Sequence, residues 1–200
     1  MCVGDGTLRW AGKRVLMSTK TQATIEDLYR APGKAEIVDG EMVPMSPTGF
    51  LPGYAGGEIF ASLREYGRRT KVGIATPDNV GFKIDLPNRR SFSPDAAFYV
   101  GRPTGMKFLN GAPVFAVEIR SEGDYGHKAE AAIEGKRLDY FAAGTLVVWD
   151  VDLLSPDVIK SYDTNNPSTP AVYRRGDLAL AELAVPGWSI AADDLFPPTE

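Results

Sequence analysis

The sequence predicts an α/β or α+β domain built on a mixed sheet. Two observations carry this. Strand-like and helix-like stretches alternate along most of the chain. Two runs, Val114–Ile119 and Leu146–Val151, are almost continuously apolar, as strands covered on both faces are, and one helical stretch separates them. Length and composition agree: 200 residues, 44% apolar and 24% charged, fit one globular domain with a core of its own.

Residues 1–17 read as an N-terminal extension, and 18–196 as a single domain. Met17-Ser18-Thr19-Lys20 would itself serve as a start. Thr24 before Ile25-Glu26-Asp27-Leu28-Tyr29 reads as an N-cap and a short helix that stops at Pro32-Gly33. Apolar residues flank Asp39-Gly40, the preferred pair for a type I′ hairpin turn. Pro44, Pro47, Gly49, Pro52 and Gly53 read as a loop. Ala55, Ile59, Leu63 and Tyr66 recur at helical spacing and define a helix of about four turns. Residues 71–76 and 79–85 read as strands. A further strand starts at Pro94, with Asp95 one residue into it. Residues 128–143 read as a helix with Gly144 as its C-terminal stop. Residues 157–162, 171–174 and 179–183 read as later strands, with a turn at Gly176-Asp177, and Trp188 and Phe196 close the core.

Several chemistries are excluded. One cysteine and one histidine rule out an internal disulfide and a zinc site of the usual His/Cys kind. There is no phosphate-cradling G-x-x-x-x-G-K-[ST], no G-x-G-x-x-G and no G-x-S-x-G elbow. His127 has no nucleophile nominated beside it and reads as surface. No apolar stretch reaches the length of a membrane span, and no signal segment opens the chain, so a cytoplasmic location is expected. The net charge of −4 argues against a broad DNA-coating surface. Basic residues nevertheless cluster at Arg64, Arg68, Arg69 and Lys71, at Arg89-Arg90 and at Arg174-Arg175, where the plain reading is solubilising surface.

Three residues remain. Asp95 opens a strand, Glu118 interrupts a buried one, and Lys136 lies in the helix that follows. A carboxylate in a central strand costs several kcal/mol unless a cation, a hydrogen-bond network or a metal compensates it. Two strand-end carboxylates in an oxygen-only setting suit Mg²⁺ or Mn²⁺. An ammonium beside them can orient a water and offset charge developing on a phosphate. The trio is thus a workable phosphodiesterase centre. The alternatives are a strand-end cap at Asp95 and a buried Glu118–Lys136 ion pair without catalysis.

Pro94-Asp95…Glu118-Ile119-Arg120 resembles the P-D…(D/E)-x-K nuclease superfamily. A longer ordered set is similar to the Uma-type restriction endonuclease family: Ile37-Val38-Asp39-Gly40-Glu41, Met45-Ser46-Pro47, Phe115 to Ser121, Lys136, Tyr140, Ala143-Gly144, Val147-Val148-Trp149-Asp150, Val185-Pro186-Gly187-Trp188 and Asp194-Leu195-Phe196. The resemblance spans about residues 18–196. It implies a restriction-endonuclease-like core, with a mixed central β-sheet flanked by helices and extra N- and C-terminal hairpins. It also implies a Mg²⁺- or Mn²⁺-dependent endonuclease acting on nucleic acid, DNA in the first instance, and a homodimer. Asp95 and Glu118 would bind the metal with the Ile119 carbonyl as a third ligand, and Lys136 would take the superfamily lysine's role. Arg120, at the older lysine position, reads as a phosphate contact or an anchor. Tyr140 reads as a brace for Lys136 or a core residue, and Glu58 as a first-helix acid or a solvated one. Family members carry a histidine after the Met-Ser-Pro loop; Phe50-Leu51-Pro52-Gly53 has none. That departure keeps a second expectation open, a nuclease fold that binds without cutting. A metal-dependent hydrolase of small phosphorylated substrates is a third.

Overall fold

The computed structural model describes residues 22–198. Its elements, in chain order, are helix α1 (Ile25–Arg30), strands β1 (Ala35–Val38) and β2 (Glu41–Pro44), helix α2 (Phe50–Thr70), strands β3 (Ile74–Pro77), β4 (Phe82–Lys83), β5 (Ser91–Phe92), β6 (Ala96–Tyr99), β7 (Leu109–Asn110) and β8 (Phe115–Ile119), helix α3 (His127–Ala142), and strands β9 (Val147–Val151), β10 (Ile159–Asp163), β11 (Asn166–Tyr173), β12 (Leu178–Leu180) and β13 (Ser189–Ala191), with a closing 3₁₀ turn at Ala192–Leu195. The N-terminal extension at 1–17 lies outside the described residues.

The central sheet has six strands in the order β11-β10-β9-β8-β6-β3. Only β8 and β9 pair in parallel; the other neighbours are antiparallel. The parallel pair needs a crossover, and α3 supplies it. The two faces of β8 then divide by the period of two. Phe115, Val117 and Ile119 join the core beneath α2, with Ala55, Ile59 and Leu63. Ala116 joins the smaller core beneath α3, with Phe92, Val148 and Tyr140. Glu118 shares the parity of Ala116, so the fold delivers its carboxylate to the α3 side.

Aromatic contacts fix both layers. The Trp149 ring meets Phe115 edge-on at 5.0 Å and lies 5.4 Å from Trp188. Both indoles find hydroxyl acceptors, Trp149 on Ser161 and Trp188 on Ser62, each at 3.0 Å. On the other face Tyr140 stacks on Phe92 at 3.8 Å.

The Asp39-Gly40 turn has both residues at positive φ, 50° and 75°, as a type I′ turn requires. Its hairpin is docked rather than free. Ile37 is fully buried, its N–H donates to Ser91 Oγ at 3.0 Å, and its carbonyl accepts from the Arg90 N–H at 3.0 Å. Thr24 caps α1 with a reciprocal bond to Asp27.

Several boundaries differ from the sequence expectation: the strands expected at 71–76, 79–85 and 179–183 are Ile74–Pro77, Phe82–Lys83 and Leu178–Leu180, and three further differences have a local cause. Helix α2 starts at Phe50, inside the expected loop, because Pro52 falls in its first turn, where a missing N–H costs nothing. Strand β11 extends back to Asn166 through Pro167 and Pro170. It is an edge strand, where proline is tolerated. Asp95 stands in a bend just before β6, not within it, although its N–H still bonds the Val117 carbonyl at 3.0 Å.

The end of β6 lies so close to Gly73, just before β3, that Gly73 has no room for a side chain. A Cβ there would lie 2.8 Å from the Tyr99 carbonyl oxygen and closer still to the Phe98 ring. Gly73→Ala is expected to lower stability by about 1–3 kcal/mol through overpacking, read as a lower urea midpoint with an unchanged denaturant slope.

Candidate active site

The site forms where the ends of β6 and β8 meet the β1–β2 hairpin and α3. Asp95 Oδ2 accepts the Ile119 N–H at 2.8 Å, which locks the carboxylate against the C-terminal end of β8. Glu118 accepts two hydrogen bonds from α3, from Lys136 Nζ to Oε2 at 2.8 Å and from the Tyr140 hydroxyl to Oε1 at 2.6 Å. Lys136 and Tyr140 sit one helical turn apart, so one face of α3 presents both donors to one acid.

Two residues that the sequence reading did not nominate complete the arrangement. Glu36, on β1, accepts from Arg89 Nη1 at 2.6 Å and from the Ser93 N–H at 2.8 Å, and lies 3.1 Å from Lys136 Nζ. Lys34 reaches Asp95 Oδ1 at 3.4 Å and also holds Asp78. Lys34 and Glu36 are two residues apart, so an extended strand aims both the same way. Arg89 is anchored in turn by Asp139 of α3 at 2.8 Å. Nothing in the local sequence marks Glu36 as buried; only the docking of the hairpin reveals it.

Burial pushes the Glu118 carboxyl up to about 7; Lys136 opposes that shift, while Asp95 and Glu36 add to it. Burial also raises Asp95, against the pull of Lys34 and the Ile119 N–H. For Glu36 burial is outweighed by Lys136 and Arg89, and its carboxyl is held below the usual glutamate range. Burial would lower the Lys136 amine, but Glu118 and Glu36 together raise it, so it stays an ammonium. Tyr140, buried and facing acids, stays protonated.

The remaining nominated residues lie apart from this cluster. Arg120 is tied down by Asp150, with Nε–Oδ1 and Nη2–Oδ2 both at 2.8 Å, and by Glu130. It therefore anchors β8 to β9 and α3 and is not free to contact a phosphate. Glu58 is half-buried on α2. It lies two residues along α2 from Gly56, the residue that faces Asp95, and a two-residue step turns the helix to its far side. Glu58 therefore does not supply an acid here. Pro52, near the point where the resemblance places a histidine, lines a recess of about 140 Å³ with Asp95, Gly53 and Gly56. His127 is exposed at the start of α3.

Among the described residues no three His, Cys, Asp or Glu side chains gather as a metal cluster. The available set is two carboxylates, Asp95 and Glu118, and the Ile119 carbonyl. That hard-oxygen set fits Mg²⁺, which takes one or two carboxylates and keeps waters, and does not fit zinc.

A mixed six-stranded sheet, with paired acids at adjacent strand ends and a helix lysine against one of them, is the architecture of a nuclease-type domain. Comparison with known proteins places it more closely. A family model described as "Uma2: Putative restriction endonuclease" matches residues 23–196, and the chain belongs to that family. A solved structure of a "putative nuclease" from Anabaena variabilis is similar in fold, with a TM-score of 0.68 at 14% identity, covering 87% of this chain and 97% of that one. The fold is thus restriction-endonuclease-like. No curated protein matches the chain. No helix among the described residues is long and apolar enough to cross a membrane.

Glu36 offers a test of the charge network. Its carboxyl is held below the ordinary value of 4.5, so its stabilising contribution is present above that pH and is lost as pH falls through its folded-state value. Glu36→Gln is expected to lower the melting temperature at pH 7, since losing one partner of a buried pair costs about 3–5 kcal/mol. The gap from wild type should shrink at pH 3–4, as read by thermal melts at both pH values.

Proposed function

We propose that the protein is a metal-dependent endonuclease that hydrolyses phosphodiester bonds in DNA. The observation that carries this reading is the meeting of Asp95, Glu118 and Lys136, from two strands and a helix, through contacts of 2.8 Å at the Ile119 N–H and at Glu118 Oε2. Family membership supplies the reaction class.

In this reading Asp95, Glu118 and the Ile119 carbonyl would hold Mg²⁺ or Mn²⁺. The ion, when bound, supplies Lewis-acid activation of water and phosphate. The chain's own groups do the rest. Lys136 remains charged beside the acids and orients the attacking water while offsetting charge on the phosphate. Tyr140 positions Glu118 and does not titrate in the working range. Glu36 and Arg89 position Lys136 from behind. A homodimer, with one protomer for each strand of a duplex, fits the same reading.

The second reading, a nuclease fold that binds without cutting, draws on one observation: both Glu118 oxygens are already bonded, to Lys136 and Tyr140. Plasmid cleavage decides between the two. With Mg²⁺ or Mn²⁺ the wild-type protein is expected to nick supercoiled DNA, and EDTA to abolish nicking. Asp95→Ala and Lys136→Ala are each expected to lose about 10²–10⁴-fold in rate while keeping the fold by circular dichroism. Equal rates in all three proteins would overturn the assignment. Tyr140→Phe keeps the ring that stacks on Phe92 and is expected to lower the rate about tenfold or less, since it removes one hydrogen bond of about 1–1.5 kcal/mol.

A further inference from the structure

Two recesses lie end to end along one pair of elements. The first is the recess beside Asp95, between the start of α2 and the Pro77–Asp78 end of β3. The second, about 390 Å³, lies between the C-terminal half of α2 and the opposite end of β3, and is lined by Arg64, Arg68 and Lys71. The α2 residues involved, Gly53, Gly56, Phe60, Arg64 and Gly67, recur at steps of three and four and form one helix face, and Lys71 caps its C-terminal end. The strand register agrees: Pro77 pairs with Ala96, next to Asp95, and Ile74 pairs with Tyr99 at the far end. Beneath the cations the floor is glycine on both sides. A Cβ on Gly67 would lie 2.9 Å from the Gly73 carbonyl oxygen.

The charge of the far recess is out of proportion to a chain of net charge −4. Three cations line it and no acid does. All three are exposed, and among the described residues none of them makes an ion pair. At the near end the acid Asp78 is held by Lys34. The groove is therefore acidic where a metal would sit and purely basic beyond it.

We propose that the α2–β3 groove carries one strand of duplex DNA away from the cleavage site, with Arg64, Arg68 and Lys71 holding its phosphates; this rests on the hydrolytic reading above. At 1.5 Å per residue, Arg64 lies about 16 Å and Lys71 about 27 Å along the helix from Gly53. A strand of duplex advances about 3.4 Å per nucleotide. The cations thus meet phosphates about five to eight nucleotides from the scissile bond.

The test separates binding from cutting. Fluorescence anisotropy with a labelled duplex in EDTA, from about 50 to 200 mM salt, measures affinity and its salt dependence. The triple variant Arg64→Ala, Arg68→Ala, Lys71→Ala is expected to bind about tenfold or more weakly and to reduce the slope of log K against log[salt] by about 2–3. Its hydrolysis of bis(p-nitrophenyl) phosphate with Mn²⁺, a substrate too small to reach the groove, should stay at the wild-type rate. Arg64→Lys with Arg68→Lys should keep the wild-type slope. Wild-type affinity and slope in the triple variant would overturn the groove assignment while leaving the hydrolytic reading intact. Loss of slope in both the alanine and the lysine variants would also overturn it, since charge would not be the cause. A wild-type protein that binds the duplex through these residues but cleaves nothing would overturn the hydrolytic reading and support the groove. A wild-type protein that binds no duplex would overturn the groove.

Discussion

A carboxylate placed in the middle of a buried sheet is the constraint from which the site follows. Glu118 occupies a strand whose neighbours on both sides are themselves strands, so water cannot solvate it fully and the protein must supply the compensation. It does so with Lys136 and Tyr140. Lys136 is then a buried cation in its own right and draws in Glu36, which draws in Arg89, which is held by Asp139. Each charge is admitted because another faces it, and the chain of pairs closes back on the helix where it began. A buried network of this kind adds little net stability but tolerates few rearrangements. It fixes where α3 and the β1–β2 hairpin can sit relative to β8.

The same network explains why the two acids differ in environment. Asp95 is held by a backbone N–H and by the distant ammonium of Lys34, and it opens onto a recess bordered by glycines. Glu118 is enclosed by side chains of α3. Asp95 lies against Gly56 of α2 and Glu118 against α3, each with about a quarter of its side chain exposed, 23% and 24%, and the Ile119 peptide joins them.

Much of this was legible in the sequence, for identifiable reasons. The apolar runs of β8 and β9 declare themselves because a strand covered on both faces has no polar positions to spare, and Glu118 stands out against that background. The Asp39-Gly40 turn, the Thr24 cap and the Gly144 stop are local chemistry and read directly. Helical spacing puts Lys136 and Tyr140 on one side of α3, while their part beside Glu118 rested on the family resemblance. The helix start at Phe50 was hidden by Pro52, which is a loop signal in isolation and harmless in a first turn. Lys34 and Glu36 were invisible because their burial depends on where a hairpin docks, which no local pattern records. The basic residues of α2 read as ordinary surface until the fold aligned them with Asp95 along one groove.

The hairpin that contributes Lys34 and Glu36 is a small appendage with one deeply buried apolar side chain, Ile37, the buried Glu36 carboxylate and a few backbone bonds to the segment around Arg90 and Ser91. The central sheet does not run through it. Undocking that ribbon would strip two of the charges from around the acids and leave the large tryptophan-centred layer undisturbed. The charge cluster thus depends on the docking of this short ribbon as well as on the central sheet.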